Sequence, residues 1–326
     1  MATVDPDGSR GARKDGQTLR SLTGLALLVT TRAVSGVAAN ALQKRLLHDG
    51  LPVRRLWLAT HAWMFLPAAA LALSQPVPQS PAFWRDAAVA GALDALGNLA
   101  MVAALRSTDL SVFGPLNALR PLLALAFGWV FLGEHPTPIG LAGVGITATG
   151  AAWLLGDKTP NAARPEPRRM ASIVGLRMAG LALSSAGAVF LKRAADSGGV
   201  GWTVGIWVAM GGVLLAAVGP VGRALSGRAS EGQGRLRESM PSAPKTPRSP
   251  GHGGIAFHAG LFLAMQWATV VVFRGTLLAY SFVFFQLGMV LQVVVGRVVF
   301  GEPAFGRRLA ASLVMAAGAG LVLWRG

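Results

Sequence analysis

The fold of this chain is decided by residues 115–155, which read PLNALRPLLALAFGWVFLGEHPTPIGLAGVGITATGAAWLL. Two long apolar runs are separated here only by Gly133, Glu134 and the short proline-containing segment that follows. An α-helix of about 20 apolar residues is long enough to cross a hydrocarbon layer roughly 30 Å thick. The stretch therefore predicts two consecutive membrane-spanning helices joined by a tight turn.

The composition of the whole chain extends this interpretation. Of the 326 residues, 52% are hydrophobic and 13% are charged, whereas soluble proteins carry about 25% charged residues. The net charge is +16, but the basic residues flank apolar runs and lack the interleaved aromatic residues that stack on bases. We predict a multi-pass protein of the cytoplasmic membrane, with membrane lipids as partners and no nucleic-acid partner.

Ten apolar runs occur along the chain. They are continuous and about twice as long as the alternating strands of a membrane barrel, so they predict helices and an all-α membrane protein. The predicted spans are 22–42, 55–74, 84–105, 110–132, 136–156, 173–191, 202–222, 255–273, 277–300 and 304–324.

The segments outside these spans are polar. Residues 1–21 predict a polar N-terminal tail that is retained, because the apolar run after it lacks a clear cleavage site for a signal peptidase. Residues 157–172 predict a proline-containing linker. Residues 226–254 are rich in Gly, Pro, Ser and Arg and predict a disordered basic loop. Two five-helix units then occupy 22–156 and 173–324.

The two units carry an internal repeat. Lys44 recurs as Lys192 at an offset of 148 residues, and Glu134 recurs as Glu302 at an offset of 168 residues. The longer offset follows from the long polar loop before the eighth span. Because five is an odd number of spans, the second unit enters the membrane from the opposite side, which predicts inverted repeats.

The fourth and fifth spans resemble the signature of the EamA branch of the drug/metabolite transporter superfamily. The resemblance lies in Pro121 within the fourth span, Gly133 and Glu134 at its end, and the glycine-rich fifth span. The second copy is a weaker match, because Met289 stands where the proline would be. The resemblance implies ten helices in two inverted five-helix repeats and transport of small organic metabolites. It names no substrate.

The same motif also has a physical interpretation. Pro121 lacks an amide hydrogen and leaves a carbonyl near Asn117 without its usual helical partner, which predicts a kink that either packs or faces a cavity. Gly133 permits a turn, and a carboxylate favours a helix N-terminus. We therefore interpret Glu134 as structural.

Three charged residues are predicted to lie near the middle of the membrane: Arg32, Asp94 and Arg120. Each is about ten residues from the ends of its span, roughly 15 Å deep at 1.5 Å per residue, and such charges are seldom kept there without a function. Arg177 and Arg297 lie three or four residues from predicted span ends. We expect these two side chains to reach the membrane surface.

Two arrangements of the deep charges remain open. In the first, the side chains face a central wet cavity, Asp94 neutralises one arginine, and the other arginine holds an anionic group of the solute. In the second, they form a closed ion-pair network that fixes helix packing. Asp94 is the single predicted interior acid, so it is also the candidate for proton coupling, although a neighbouring arginine would keep it ionised.

Five amide side chains surround these charges at similar predicted depth. Each alone fits a helix-to-helix hydrogen bond, whereas the set suggests a polar midplane at the interface of the repeats. We predict that they bind substrate together with Arg32, Asp94 and Arg120. The amides are Asn98, Asn117, Gln266, Gln286 and Gln292.

Other side chains give weaker indications. His61 and His258 are isolated and predict interfacial or packing roles, so with no cysteine in the chain we expect no metal site and no cofactor. Trp63 and Trp267 fit a cavity lining or a lipid-facing position. Small residues spaced four apart in the fifth, seventh and tenth spans fit packing within the bundle or contact in a homodimer.

The sequence hypothesis is a secondary transporter that moves a small organic solute, anionic or zwitterionic, by alternating access. Enzyme activity is not expected, because no P-loop or metal-ligand spacing occurs. A lipid or glycolipid flippase and a non-transporting scaffold remain as alternatives. Sidedness stays open, because the distribution of Lys and Arg favours external termini and the resemblance implies cytoplasmic ones.

Overall fold

The computed structural model describes residues 8–49, 51–105, 120–155, 167–217, 252–300 and 305–325. Regular secondary structure within these ranges is helical. The helices are α1 (Gly8–His48), α2 (Val53–Leu73), α3 (Pro81–Leu105), α4 (Arg120–Phe127, continued by a π-helical turn, Gly128–Leu132), α5 (Pro138–Leu155), α6 (Pro167–Gly198), α7 (Val200–Ala217), α8 (His252–Gly275), α9 (Leu278–Phe300) and α10 (Phe305–Arg325).

A helix lies at the position of every predicted span, but several boundaries differ. Helix α1 begins at Gly8, inside the predicted polar tail, and α6 begins at Pro167, inside the predicted linker. Most of the predicted 226–254 loop lies outside the described residues, and α8 begins at His252. Apolar periodicity locates the membrane-crossing part of a helix, whereas the helix itself can continue into water.

Among the described residues, five helical segments are apolar enough and long enough to cross a membrane by themselves. These segments are Thr23–Gln43, Arg55–Leu73, Val200–Ala217, His252–Gly275 and Leu278–Val295. An all-helical, multi-pass membrane protein follows from these segments.

The residues from Gly128 to Glu134 determine how α4 ends. The π-helical turn finishes at Gly133, which has φ 64° in the left-handed region that favours glycine. The amide of Glu134 donates to the carbonyl oxygen of Gly128 at 3.1 Å, closing the turn. The chain is thereby redirected within a few residues, and α5 starts at Pro138.

Helices α5 and α10 cross through small residues. A Cβ added at Gly143 would lie 2.8 Å from the carbonyl oxygen of Gly318, and one added at Gly150 would lie 3.0 Å from that of Ala311. As numbering rises along α5, the contacted positions fall along α10, so the two helices are antiparallel. The close approach within the chain is thus made by Gly143 and Gly150 of α5 and by Ala311 and Gly318 of α10, whereas a Cβ added at Gly320 would meet nothing within 4 Å.

Two further close contacts between helices lie at corresponding positions of the two halves. Gly97 of α3 approaches Ser184 of α6, and Gly36 of α1 approaches Met265 of α8. The offsets of 148 and 168 residues convert one pair into the other. The contacts between whole helices show the same relation. If each helix is replaced by its counterpart in the other half, the contact of α3 with α6 becomes the contact of α8 with α1. The contacts of α5 with α10 and of α2 with α7 stay the same under this exchange.

Candidate functional site

Arg120 and Asp94 are joined through a serine in the middle of the bundle. Nη2 of Arg120 donates to Oγ of Ser184 at 2.5 Å. The Ser184 hydroxyl in turn donates to Oδ1 of Asp94 at 3.2 Å. Asp94 and Arg120 attract each other electrostatically. Helices α3, α4 and α6 are thus connected by one polar chain, and the Asp94 charge offsets that of Arg120.

The second carboxylate oxygen of Asp94 is also occupied. Nδ2 of Asn98, one turn along α3, donates to Oδ2 at 3.2 Å. Nε1 of Trp207 on α7 donates to the same oxygen at 3.1 Å. Donors on three helices, Asn98 on α3, Ser184 on α6 and Trp207 on α7, therefore surround the carboxylate.

Arg32 is placed differently, against an aromatic ring. Its Cζ lies 3.8 Å from the centroid of the Phe285 ring, and Cζ of Arg120 lies 5.0 Å from that of Phe282. Both rings belong to α9 and are 5.7 Å apart. A guanidinium over an aromatic face gains about 0.5 to 2 kcal/mol, which does not neutralise its charge. The Nε–H groups of Arg32 and Arg120 are buried and have no hydrogen-bond partner among the described residues.

Arg177 is a buried member of this group, and the expectation that it reaches the membrane surface is wrong. Helix α6 begins ten residues before it, at Pro167, and Arg177 is only 3% exposed. Arg120 repels both Arg177 and Arg32 electrostatically. Arg297, the other arginine expected at the surface, is exposed on α9.

These four residues form what we call the central charged cluster: Arg32, Asp94, Arg120 and Arg177. Three of its members are basic and one is acidic. Arg32, Asp94 and Arg120 are half-buried, so part of each residue remains accessible. Guanidinium groups in such a place are suited to holding an anion.

An aromatic group lies beside Asp94. Trp207 contacts His61, with ring centroids 6.0 Å apart, and Phe262, with centroids 6.1 Å apart. Nδ1 of His61 lies 2.9 Å from the carbonyl oxygen of Trp57. His258 lies 3.1 Å from the Thr60 hydroxyl in a buried contact between α8 and α2. Both histidines are thus buried in the bundle rather than at an interface.

The structure places the five amide side chains that were predicted to bind substrate in different surroundings. Asn98 reaches Asp94, whereas Gln266 and Gln286 are buried on α8 and α9. Asn117 lies outside the described residues, and Gln292 is placed on α9 without a described side chain. The structure thus brings Asn98 into direct contact with the charged cluster.

The side chains of the deep tryptophans Trp63 and Trp267 are exposed. Trp63 is 48% exposed and Trp267 is 37% exposed. Trp207, which the sequence did not single out, takes the position beside Asp94. The sequence gave no indication that Trp207 faces Asp94, because hydropathy does not determine which face of a helix points into the bundle.

Glu134 lies outside the central charged cluster, in a site where its negative charge is paired with one positive charge. Its Oε1 is 3.0 Å from Nζ of Lys192, and both side chains are largely buried. Its Oε2 accepts a hydrogen bond of 2.6 Å from the amide of Leu278, the first residue of α9. Lys192 also donates to the carbonyl oxygen of Thr276. We call these residues the Glu134 end, and their geometry agrees with a structural role for Glu134.

Within the part of the chain that the structure describes, no group of three or more His, Asp or Glu side chains is close enough to hold a metal ion. The polar groups of the central charged cluster and its contacts are guanidinium, carboxylate, hydroxyl, amide and indole groups.

Comparison with known proteins agrees with this architecture. A solved structure described only as "Crystal structure of protein" matches 92% of this chain and 96% of its own chain, with a TM-score of 0.64 and 18% identity. At that identity the likeness concerns the fold alone. No curated protein gives a significant match.

A family model matches the first half of the chain. The model of the EamA-like transporter family matches residues 22–156. This range runs from within α1 to the end of α5 and contains Arg32, Asp94 and Arg120. Residues 22–156 are therefore similar to EamA-like transporters.

Proposed function

We propose that the protein is a secondary transporter of the cytoplasmic membrane that moves a small anionic organic solute by alternating access. The observation that carries the proposal is the guanidinium of Arg32, which lies over the Phe285 ring with no hydrogen-bond partner for its Nε–H among the described residues, near Arg120, whose charge Asp94 offsets. An uncompensated charge in a low-dielectric interior costs several kcal/mol. A bound anion would supply the missing negative charge, and Arg32 and Arg120 would be its main contacts.

The proposal includes two inverted repeats. The antiparallel crossing of α5 and α10 and the exchange of contacts between the halves support a pseudo-twofold relation. Inverted-repeat carriers place the solute at the interface of the repeats, near the midplane. Arg32 and Asp94 lie in the first half and Ser184 in the second, so the cluster straddles that interface.

A non-transporting scaffold fits the geometry less well. A closed ion-pair network would require Asp94 to neutralise its arginine neighbours. Asp94 is linked to Arg120 through Ser184, whereas Arg32 lies over Phe285 with an unpartnered Nε–H. The accessible surface on Arg32 and Arg120 also favours a solute path over a dry packing contact.

The test begins with a thermal-unfolding screen of the purified protein against a metabolite library, because a bound solute stabilises the folded state by mass action. Hits are then tested for uptake into proteoliposomes. Arg120→Gln should abolish uptake while the variant stays folded. Arg297→Gln, which removes an exposed arginine, is the matched control and should transport normally. Unchanged uptake by Arg120→Gln would refute the proposal.

A further inference from the structure

We infer that the transported anion binds together with one proton, and that Nε2 of His61 is the atom that takes up this proton. The inference rests on the proposed anion transport and adds the ion that is coupled to it. His61 lies on α2 and is 7% exposed, whereas the sequence predicted an interfacial or packing role for it. The proton site is thus a buried histidine beside the central charged cluster, and Asp94 serves as its counter-charge.

The hydrogen bond of His61 determines which ring nitrogen can accept a proton. Nδ1 lies 2.9 Å from the carbonyl oxygen of Trp57. Because a carbonyl oxygen only accepts, Nδ1 carries the hydrogen, and the neutral ring keeps a lone pair on Nε2. Nε2 faces α7, where a Cβ added at Gly211 would lie only 2.6 Å away. Glycine at this position therefore keeps the space beside Nε2 free of a side chain.

Asp94 is the acid that acts on His61. The two groups attract each other electrostatically. Trp207 contacts both, because its ring lies 6.0 Å from that of His61 and its Nε1 donates to Asp94. Helix α7, which packs along α2, has no titratable residue in its range, and the membrane-crossing segments of α1 and α8, which also contact α2, contain no acid. The titratable residues of those two segments are Arg32, His252, His258 and Arg274. The counter-charge for a protonated His61 therefore comes from Asp94.

The coupling arises because one carboxylate attracts two bases. Asp94 attracts Arg120 as well as His61. A buried positive charge without a counter-charge is costly, so His61 stays neutral while Arg120 depends on Asp94. An anion bound at Arg32 and Arg120 supplies Arg120 with a second negative charge. The charge of Asp94 then stabilises a proton that Nε2 of His61 accepts from water, which converts the imidazole to an imidazolium.

Coupling between two binding sites is reciprocal. If anion binding favours protonation of His61, protonation of His61 raises the affinity for the anion by the same factor. The loaded carrier then moves the anion and the proton together. Release of the anion leaves Arg120 dependent on Asp94 again and returns the proton to water. The transport mode that follows is cotransport of an anion with a proton.

His258 is a matched histidine that lacks an acid. The Thr60 hydroxyl donates to the carbonyl oxygen of Leu56 at 2.8 Å. Nδ1 of His258, 3.1 Å from that hydroxyl oxygen, must therefore carry its own hydrogen, and the lone pair is again on Nε2. His258 is 1% exposed, and in the part of the chain that the structure describes no acid attracts it. It thus shares burial and tautomer with His61 and differs in the attraction from Asp94.

The experiment measures the anion affinity of the full-length purified protein at constant ionic strength from about pH 5 to 8, the range in which histidine changes its charge. The probes are methanesulfonate, benzenesulfonate and sulfate, whose own charges stay constant over this range. We expect the apparent affinity for at least one probe to rise about tenfold from the alkaline to the acid end. At neutral pH, binding should also take up protons, which a pH indicator in weakly buffered solution detects.

Variants then assign the proton to His61. His61→Gln keeps a donor for the carbonyl oxygen of Trp57 and should lose both the pH dependence and the proton uptake, whereas His258→Gln should keep both. If His61→Gln does not fold, Gly211→Ala is the second test, because its methyl group crowds Nε2 and should reduce the pH dependence. Gly212→Ala is the control for it, since a Cβ there would lie 3.6 Å from Cβ of His61, an ordinary contact.

Two outcomes would overturn the inference and leave the proposed transport intact. One is anion binding that requires Arg120 and does not change with pH in the wild-type protein. The other is full retention of the pH dependence by His61→Gln, which would assign the proton to another group. Absence of binding of every probe at every pH, or binding that survives Arg120→Gln, would instead remove the proposed anion site itself.

Discussion

The central charged cluster and the Glu134 end use the same residue types in opposite ways. At the Glu134 end, one carboxylate meets one ammonium at 3.0 Å and also accepts from the first amide of α9. In the central cluster, one carboxylate is surrounded by donors and is linked to Arg120 through Ser184, whereas the Arg32 guanidinium lies over an aromatic ring. Matched charges hold helices together, whereas a buried charge without a counter-charge costs several kcal/mol, and the proposed solute would supply that counter-charge.

The Glu134 end connects the two halves of the chain. Besides the ion pair with Lys192, the amide of Thr137 donates to the hydroxyl of Tyr280 at 3.1 Å. Arg193 donates to the carbonyl oxygen of Phe131. Each of these contacts joins the first half to the second. The comparison therefore predicts that charge removal destabilises the protein at the Glu134 end and does not do so at an uncompensated arginine.

The largest effect is expected for Glu134→Gln. The substitution leaves Lys192 buried without its anion and weakens the acceptor at the start of α9, so we expect a loss of about 3 to 5 kcal/mol in the free energy of unfolding. Thermal or denaturant unfolding in detergent measures it.

Arg85→Gln is the control for this prediction. The Arg85 and Asp86 pair has a similar length, 2.9 Å, but the arginine side chain is 66% exposed. Loss of an exposed pair should cost at most about 1 kcal/mol. Equal effects of Glu134→Gln and Arg85→Gln would show that burial does not distinguish the two pairs.

The next effect is expected for Asp94→Asn. The amide removes the negative charge of the cluster and weakens acceptance from Ser184 and Trp207, so unfolding free energy should fall by about 2 to 3 kcal/mol. The excess of positive charge also increases, so the preference for anions of higher charge should grow. A binding series of anions with one, two and three charges measures the second effect. A lowered preference for multivalent anions would contradict the charge balance assigned to the cluster.

The sequence predicted part of this comparison. Depth along a span singled out Arg32, Asp94 and Arg120, whose role in binding stays a prediction, and the turn at Gly133 and Glu134 followed from glycine geometry and helix-end electrostatics. The repeat offsets relate the contact of Gly97 with Ser184 to that of Gly36 with Met265, while the inverted repeats stay a prediction. These inferences rest on local patterns and on the cost of burying charge, both of which can be derived from sequence.

The remaining features depend on tertiary packing. Arg177 was misplaced because its depth was measured from the first apolar residue of the span, whereas α6 starts several residues earlier. Ser184 and Trp207 carry no charge, and nothing in their neighbourhoods indicated that they face Asp94. The repeat could have drawn attention to Ser184, because its equivalent is Gly36, a close-contact position in the other half.

A smaller effect of opposite sign is expected for Arg32→Gln in the protein without solute. Removing one of two mutually repelling arginines relieves a buried charge, and the lost contact with Phe285 offsets part of the gain. We expect the unfolding free energy to rise by about 1 kcal/mol, while anion affinity falls about tenfold or more. Arg297→Gln controls for loss of a positive charge. A loss of stability as large as that of Glu134→Gln would mean that Arg32 is already paired.

The smallest effect concerns Asp196, at the margin of the Glu134 end and beyond the predicted span of α6. Partial burial raises the pKa of this largely exposed carboxyl above its usual value, attraction from Lys192 and Arg274 opposes the shift, and repulsion from Glu134 adds to it. A raised pKa in the folded state means that the folded protein binds the proton more tightly than the unfolded chain, so this group lowers stability as pH rises through the acid range. Asp196→Asn should remove that dependence.

The measurement is the difference in unfolding temperature between the wild-type protein and Asp196→Asn, followed from below the usual pKa of aspartate to neutral pH. Because Asp196 is exposed, the variant should match the wild type in acid and exceed it at neutral pH by no more than about 0.5 kcal/mol. The opposite trend, with the wild type gaining stability as pH rises, would mean that Lys192 and Arg274 outweigh burial. Asp196 would then belong with Glu134 among the matched charges, and the region in which charge stabilises the fold would extend to the end of α6.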